Sequence, residues 1–427
     1  MSILYLFLAL LALTVIDVPI AIGLGAVAAT GIALTKGTDG VVDVAVGMYN
    51  GTTSFPLLAI PLFILAGSIM NACGISRRLI AFASSVCGFV RGGLAMVTIA
   101  ASMFFAEISG SAVADVAALG SILIPAMKAK GYPTPFAAAV QSSAATLAVI
   151  IPPSIPMVLY AVMADTSIAR LFVAGIVPGV IGGFALMGVT HVLAVRRGWP
   201  IEERFRLARV WETFKEASWS FALPVIILGG IFGGVVTATE GAALAVLAAL
   251  VIGAIVYREL DLAKLREAMV AGVVQTAVVM LLVASSTVVG AFLTELQAPQ
   301  QLAAAISGVT QNRYVVLLFL NVLFLFLGLF LHSAAAITLV VPIVMPLVRA
   351  VGIDPIHFGL IVTINLGIGQ QTPPVASVLT TACAVAKADI WEVSRANVWF
   401  VAVLLAVLLL CTYVPAVPMT LVRYLYD

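Results

Sequence analysis

Residues 104–160 read FFAEISGSAVADVAALGSILIPAMKAKGYPTPFAAAVQSSAATLAVIIPPSIPMVLY. Most of this stretch is apolar enough for a lipid bilayer, yet it holds two features that a plain membrane span avoids. Ser109-Gly110-Ser111 is a small, polar break, and Pro152-Pro153 stands in the middle of an apolar run. The segments on either side of the first break, 94–108 and 112–127, are each too short to cross at about 1.5 Å per residue. Two half-length helices joined by a small polar tip predict a re-entrant hairpin that enters and leaves on one face. The following span, 132–163, is predicted to break at the double proline, which removes amide donors from the helix ladder. Backbone groups freed at that depth are tolerated only where protein or a polar cavity satisfies them.

The rest of the chain supports a membrane setting. Of 427 residues, 63% are hydrophobic and 9% charged, against roughly 25% charged in an average soluble domain. Apolar runs of about 20 residues recur, the signature of spanning helices. The alternating short segments of a strand barrel are absent. The expected fold is therefore an all-α polytopic membrane protein. The first apolar segment, from Ile3, lacks a basic n-region and a small-residue cleavage site and is expected to be a retained span. A net charge of +2 argues against nucleic acid as a partner. Cys73, Cys87, Cys383 and Cys411 have no CxxC spacing, and three scattered histidines form no ligand cluster.

Taken in order, residues 3–34 form an apolar segment interrupted at Asp17-Val18-Pro19, and 35–54 form a polar connection. A span at 55–73 and an interfacial piece bracketed by Arg77, Arg78 and Arg91 complete a first scaffold unit, 1–93. The first hairpin and broken helix occupy 94–163. A second scaffold unit, 164–314, holds a span at 171–194 and then six basic residues among acids and aromatics over 196–218. That composition predicts a cytoplasmic amphipathic helix in the membrane plane. Two crossings are expected in 221–257 around Gly229-Gly230, Gly233-Gly234 and Thr237-Ala238-Thr239-Glu240, and one more in 268–292. A second hairpin and broken helix occupy 315–388, with a tip near His332-Ser333 and a break at Gly369–Pro374. A C-terminal unit, 389–427, carries the last span.

The two halves repeat. Pro125 to Pro152 is 27 residues, as is Pro346 to Pro373. One offset, 221 residues, relates Pro125 to Pro346, Gly131 to Gly352, Pro152 to Pro373 and Pro153 to Pro374, and places Ser111 on His332. Lys128 and Lys130 put the base of the first hairpin inside, and the basic 196–215 stretch lands inside after two further crossings. Residue 293 then falls outside, so the second hairpin enters from the opposite face. Inverted repeats whose broken helices meet at mid-membrane describe a secondary transporter.

A half-helix ending in the membrane exposes amides or carbonyls and a dipole end. Amide ends suit a substrate carboxylate; carbonyl ends with hydroxyls and amide oxygens suit a small hard cation such as Na⁺. The first half offers Ser109, Gly110, Ser111, Thr146, Ser154 and the carbonyls before Pro152 and Pro153, including that of Ile151. The second offers His332, Ser333, Asn365, Gln371, Thr372 and the carbonyls before Pro373 and Pro374. Thr146 can instead bond its own i−4 carbonyl. Carboxylates in apolar runs are functional candidates by default: Asp115 and Glu107 flank the first tip, and Glu240 either stabilises the glycine-rich break or takes part in coupling. No other cofactor is expected, and no nucleophile–base or metal motif points to an enzyme.

The sequence resembles the large membrane subunit of TRAP transporters, the DctM-like group. The resemblance rests on ISGSAVADVAALGSILIPAM (108–127), IIPPSIPMVLY (150–160), GGVVTATEGAA (233–243), GIDPIHFGLIVTINLGIG (352–369) and QTPPV (371–375), and covers essentially the whole chain. It implies an elevator-type secondary carrier in the bacterial inner membrane. A domain of hairpins and broken helices would slide within a scaffold, and a Na⁺ gradient would drive uptake of an organic acid. It implies two partners, a small Q-type membrane subunit and a periplasmic P-type substrate-binding protein. It also implies Na⁺ sites near Ser109, Ser111 and Ile151, and near Ser333, Asn365 and Thr372. The chain differs from the common family pattern at His332-Ser333, where Asp-Pro is frequent, at Glu107 and at Ala376. A self-sufficient Na⁺- or H⁺-coupled carboxylate symporter of related fold is the alternative.

Overall fold

The computed structural model describes residues 8–10, 12–13, 16, 18–199, 201 and 204–427, without the side chains of residues 38, 107–109, 302–303, 305, 307 and 309. Asp17 therefore lies outside the described residues. Among those described, nine helices are long and apolar enough to cross a membrane. Both predicted helical hairpins form, but three of their arms, Ala112–Ala129, Arg313–Phe330 and Ser333–Ala350, are 18 residues each and count among the nine, longer than the half-length arms expected. Gly93–Ser109 ends at Gly110, whose φ of +56° turns the chain, and Ser111 then starts Ala112–Ala129 as its N-cap. In the second half Arg313–Phe330 ends at Leu331, and His332 caps Ser333–Ala350. The offset of 221 thus relates one N-cap to the other.

Both broken helices form too. Thr134–Ile150 and Ile155–Met163 meet at a 40° bend across Ile151–Ser154. Pro355–Gly369 and Ser377–Ala386 are separated by a longer break, residues 370–376. The Pro152–Pro153 and Pro373–Pro374 peptides are both cis.

The inversion is visible in one reciprocal pair of contacts. Lys128, at the base of the first hairpin, donates to the Ala386 carbonyl at the end of the second broken helix, 3.1 Å away. Arg349, its counterpart at the offset of 221, donates to the Ala164 carbonyl just past the end of the first broken helix, 2.9 Å away. Each cation therefore meets a helix C-terminus, where carbonyls lack partners and the dipole favours positive charge. The first broken helix starts at the base of its own hairpin and finishes at the base of the other, so the two bases lie on opposite faces.

Within the second half, hairpin and broken helix pack by close backbone approach. A Cβ on Gly328 would stand 2.9 Å from the Gly369 Cα, so the second hairpin lies directly on the second broken helix where its ladder ends. Around this unit run Ile20–Lys36, Ala59–Ala72 and the 34-residue Leu262–Glu295, which packs on both.

Three connections differ from expectation. The basic amphipathic stretch is not a separate helix over 196–218: Ile168–Arg197 runs to its start, and Leu207–Phe232 begins after a loop and continues straight into a span. No breaker separates its charged first turns from Phe221, and Pro224 is accommodated within it. Residues 35–54 contain a helix, Val41–Thr52, whose Gly47 and Gly51 let it lie against Val288 and Thr287 of the long helix. The 293–313 connection holds a further helix, Ala298–Val309.

On the cytoplasmic side Glu259 accepts from Arg78 at 2.5 Å and from Arg77 at 3.1 Å. Burial pushes its carboxyl up, but the Arg78 hydrogen bond and the charges of Arg78, Arg77 and Lys264 outweigh it and hold it below the ordinary value. The stabilisation is thus complete above about pH 5 and is lost as the pH falls through the carboxylate range. Glu259→Gln should lower the melting temperature of the detergent-solubilised protein at pH 7, with the gap to the unaltered chain closing towards pH 4. Gly328→Ala should abolish the correctly folded protein in size-exclusion profiles. Gly188→Ala, on a helix with open space around it, should leave the profile unchanged.

Candidate functional site

Each tip lies against the break of its own half. The Ile155 amide donates to the Gly110 carbonyl, 3.3 Å away, and a Cβ on Gly110 would come within 3.0 Å of the Pro153 carbonyl. In the second half the Val375 amide donates to Leu329 O at 3.2 Å. Gln370 Nε2 donates to Ser333 Oγ, while Gln370 O accepts the Val378 amide at 3.1 Å. These bonds replace ladder bonds that the prolines remove. Ser111 Oγ and His332 Nδ1 accept the amides of Ala114 and Ala334, each at 3.4 Å.

The tips face each other across a cavity of about 370 Å³. Gly110, Ser111, His332 and Ser333, all singled out in the sequence, line it, and Gln370 and Gln275 line it as well. None of its lining residues carries Lys, Arg, Asp or Glu among the described residues. An anion placed there would meet hydroxyls, amides and helix ends, with no fixed positive side chain.

Other predicted residues sit beside this cavity. Asp115 is fully buried one turn below the first tip, at the start of a π-helical turn over Val116–Gly120. Ser102 is its nearest polar neighbour, and among the described residues neither carboxylate oxygen has a partner of full hydrogen-bond geometry. Asn365 Nδ2 donates to Asn321 Oδ1 at 2.7 Å and to Ile361 O at 2.8 Å, leaving its Oδ1 buried and unpartnered. An orphaned buried oxygen in a native structure calls for an ion or water, so Asp115 and Asn365 are suitable donors to a hard cation.

Several hydroxyls are already used. Ser154 Oγ donates across the break to Val149 O at 2.8 Å, and Thr372 Oγ1 to Ile368 O at 3.2 Å. Thr146 donates to its own i−4 carbonyl, Ser142 O, at 3.3 Å and accepts from Gln371 Nε2. For Ser154, Thr146, Thr372 and the Gln371 side chain, the available groups are therefore the neighbouring main-chain carbonyls around Ile151, Pro152, Pro153, Pro373 and Pro374. The side chains of Ser109 and Glu107 lie outside the described residues.

Of the two roles expected for Glu240, the structure shows the one that stabilises the glycine-rich break. Its carboxylate accepts from Thr237 N at 2.8 Å and Thr237 Oγ1 at 3.0 Å while its own amide donates back, a complete capping box at the start of Ala238–Val251. Gln370, Gln275, Asn321, Asn397 and Ser143 were missed. Four of these are lone amides in apolar helices or beside the double proline, a signal of the same kind as an intramembrane acid.

The model of the DctM component of tripartite ATP-independent periplasmic transporters matches residues 7–417. The chain is 45% identical, over 95% of its length, to the isethionate TRAP transporter permease protein DctMQ of Oleidesulfovibrio alaskensis, and spans 64% of that protein. It is 39% identical to the C4-dicarboxylate TRAP transporter large permease protein DctM of Pseudomonas aeruginosa, covering 91% of each chain. Among solved structures it is similar to the Alcanivorax borkumensis YdaH transporter, with a TM-score of 0.64 at 16% identity and 88% of each chain covered. That likeness concerns the fold alone.

Glu240→Gln, which keeps both arms of the box, should leave stability and uptake unchanged. Glu240→Ala should lower the melting temperature of the purified protein by a few degrees without altering the uptake rate at permissive temperature.

Proposed function

This chain belongs to the DctM component family of tripartite ATP-independent periplasmic transporters, and on that premise we propose that it imports a small organic acid driven by a Na⁺ gradient. It is a multi-pass protein of the bacterial inner membrane, and its family is a permease family rather than an enzyme family. The observation that carries the reading is the shared cavity: two helix-hairpin tips converge on a space whose described lining residues include no Lys or Arg. An anion entering such a low-dielectric site must be compensated, because burying an unpaired charge is costly. Cations held behind each tip supply that compensation, which ties anion binding to Na⁺ binding. The orphaned oxygens of Asp115 and Asn365, together with main-chain carbonyls at the breaks, are the donors. Ser111, Ser333 and Gln370 bind the acid itself. A cavity near the lower end of the usual range for ligand sites, roughly 300–1,000 Å³, suits an acid of a few carbons.

The hairpins and broken helices act as the moving body. A larger cleft, about 650 Å³, separates the first hairpin from Ala59–Ala72 and Leu262–Glu295 and shares Gln275 with the tip cavity. Lys264 and Glu267 lie along it, and the positive-inside rule puts Lys264 at the cytoplasm. The path therefore leads inward, and sliding of the hairpin unit along these helices moves the cavity between faces. A periplasmic P-type binding protein delivers the acid and a small Q-type membrane subunit completes the scaffold; the DctMQ relative extends beyond the matched region.

Proteoliposomes holding this chain and its small subunit should take up acid only with the loaded binding protein outside and an inward Na⁺ gradient. Uptake that persists with sodium equal on both sides and no membrane potential would sink the coupling. Asp115→Asn and Asn365→Ala should each raise the half-saturating sodium concentration.

A further inference from the structure

Four buried side chains form a hydrogen-bond chain that joins the two halves to the C-terminal span. Ser143 Oγ stands 2.6 Å from Asn397 Oδ1 and 2.8 Å from Gln371 Oε1. Asn397 Nδ2 is 3.2 Å from Gln371 Oε1 and 3.5 Å from the Gln371 main-chain carbonyl. Gln371 Nε2 donates to Thr146 Oγ1, which donates to Ser142 O. Ser143, Asn397, Gln371 and Thr146 are each at most 1% exposed.

Donor counting fixes its direction. Only an NH₂ can face the Gln371 carbonyl, so the Asn397 amide has one orientation. Its Oδ1 then takes the single Ser143 proton, and its Nδ2 supplies Gln371 Oε1. Gln371 must therefore turn its own NH₂ to Thr146, and Thr146 passes its proton to Ser142 O. The chain leaves the first broken helix at Ser143, crosses Ile390–Tyr413 and the second break, and returns to the first broken helix one residue earlier. Each donor group in it has at least one acceptor.

The two halves differ at this point. The offset of 221 relates Gln371 to Ile150. In the first half, the Ile150 carbonyl is approached by the bare backbone of Gly175, where a Cβ would collide. In the second half the equivalent carbonyl instead receives an amide donor from the equivalent helix.

We propose that Asn397 is a positioning residue for the second cation site: it aims the Gln371 carbonyl at the break and, through Gln371 and Thr146, makes the two breaks order together. This rests on the sodium coupling proposed above. In the reconstituted transporter, Asn397→Ala should raise the half-saturating Na⁺ concentration about tenfold, the scale of one lost buried hydrogen bond. It should also lower the Hill coefficient for Na⁺, while the half-saturating acid concentration at saturating sodium stays within twofold. Ser143→Ala, a small change that keeps the fold should Asn397→Ala not, should shift sodium in the same direction. Because both residues serve one chain, the double variant should be no worse than the worse single one. A role in packing alone would lower melting temperature and yield but leave sodium half-saturation in place. Unchanged sodium half-saturation in either single variant, or additive effects in the double, overturns the proposal. Sodium-independent uptake by the unaltered transporter, seen before any substitution, would instead remove the function proposed above.

Discussion

A helix that stops inside a bilayer leaves amides and carbonyls with no water to turn to, and this constraint organises the molecule. Eight helix ends stop at depth, two at each tip and two at each break. Each tip is used to satisfy the break behind it, through Ile155 N to Gly110 O and Val375 N to Leu329 O. Side chains close further gaps, with Ser154 spanning the first break and Gln370 tying the second to Ser333. At the outer ends Lys128 and Arg349 each cap the broken helix of the opposite half. The repeats are therefore not two units laid side by side; each is completed by the other. Among the described residues, Asp115 in the first half and Asn365 in the second are among the buried groups that keep an oxygen without a hydrogen-bond partner.

Much of this was legible in the sequence because breakers act locally. Ser-Gly-Ser, the double prolines and the glycines after Lys130 and Val351 dictate where helices end whatever surrounds them. Their common register of 221 therefore reported a structural repeat before any contact was known. Local signals failed where a helix had no breaker to mark it. Charge and aromatic content singled out 196–218 as one interfacial helix, but the chain simply ends one span at Arg197 and starts the next at Leu207. Composition reports the environment of a segment; only breakers report its ends.

Side-chain roles were less legible, and for a consistent reason. Hydroxyls and amides were proposed as cation ligands by type and position. Whether an oxygen is free depends on partners that are distant in sequence. Gln371 looked available beside Pro373 but is bonded to Thr146, Ser143 and Asn397. Glu240 looked like an intramembrane acid but completes a box with Thr237, three residues away, a pattern that [ST]-x-x-E already spells out. Asn365 is the reverse case: one end of its amide is held by Asn321 and Ile361 so that the other stays bare.

Duplication gave the two halves one plan, and their departures from it bear on how the site works. The first break is short and is bridged by a serine; the second runs from Gln370 to Ala376 and is held by two glutamines and an asparagine. The first tip is capped by a hydroxyl, the second by an imidazole. On the proposed sodium coupling, the two halves would therefore offer their cations unequal surroundings: the first break is bridged by Ser154 to Val149 O, whereas the second is tied through Gln371 to Thr146 of the first broken helix and to Asn397 of the last long helix. The second break cannot change shape without disturbing the first broken helix, and the reverse link from the first break to the second is the same single chain of hydrogen bonds.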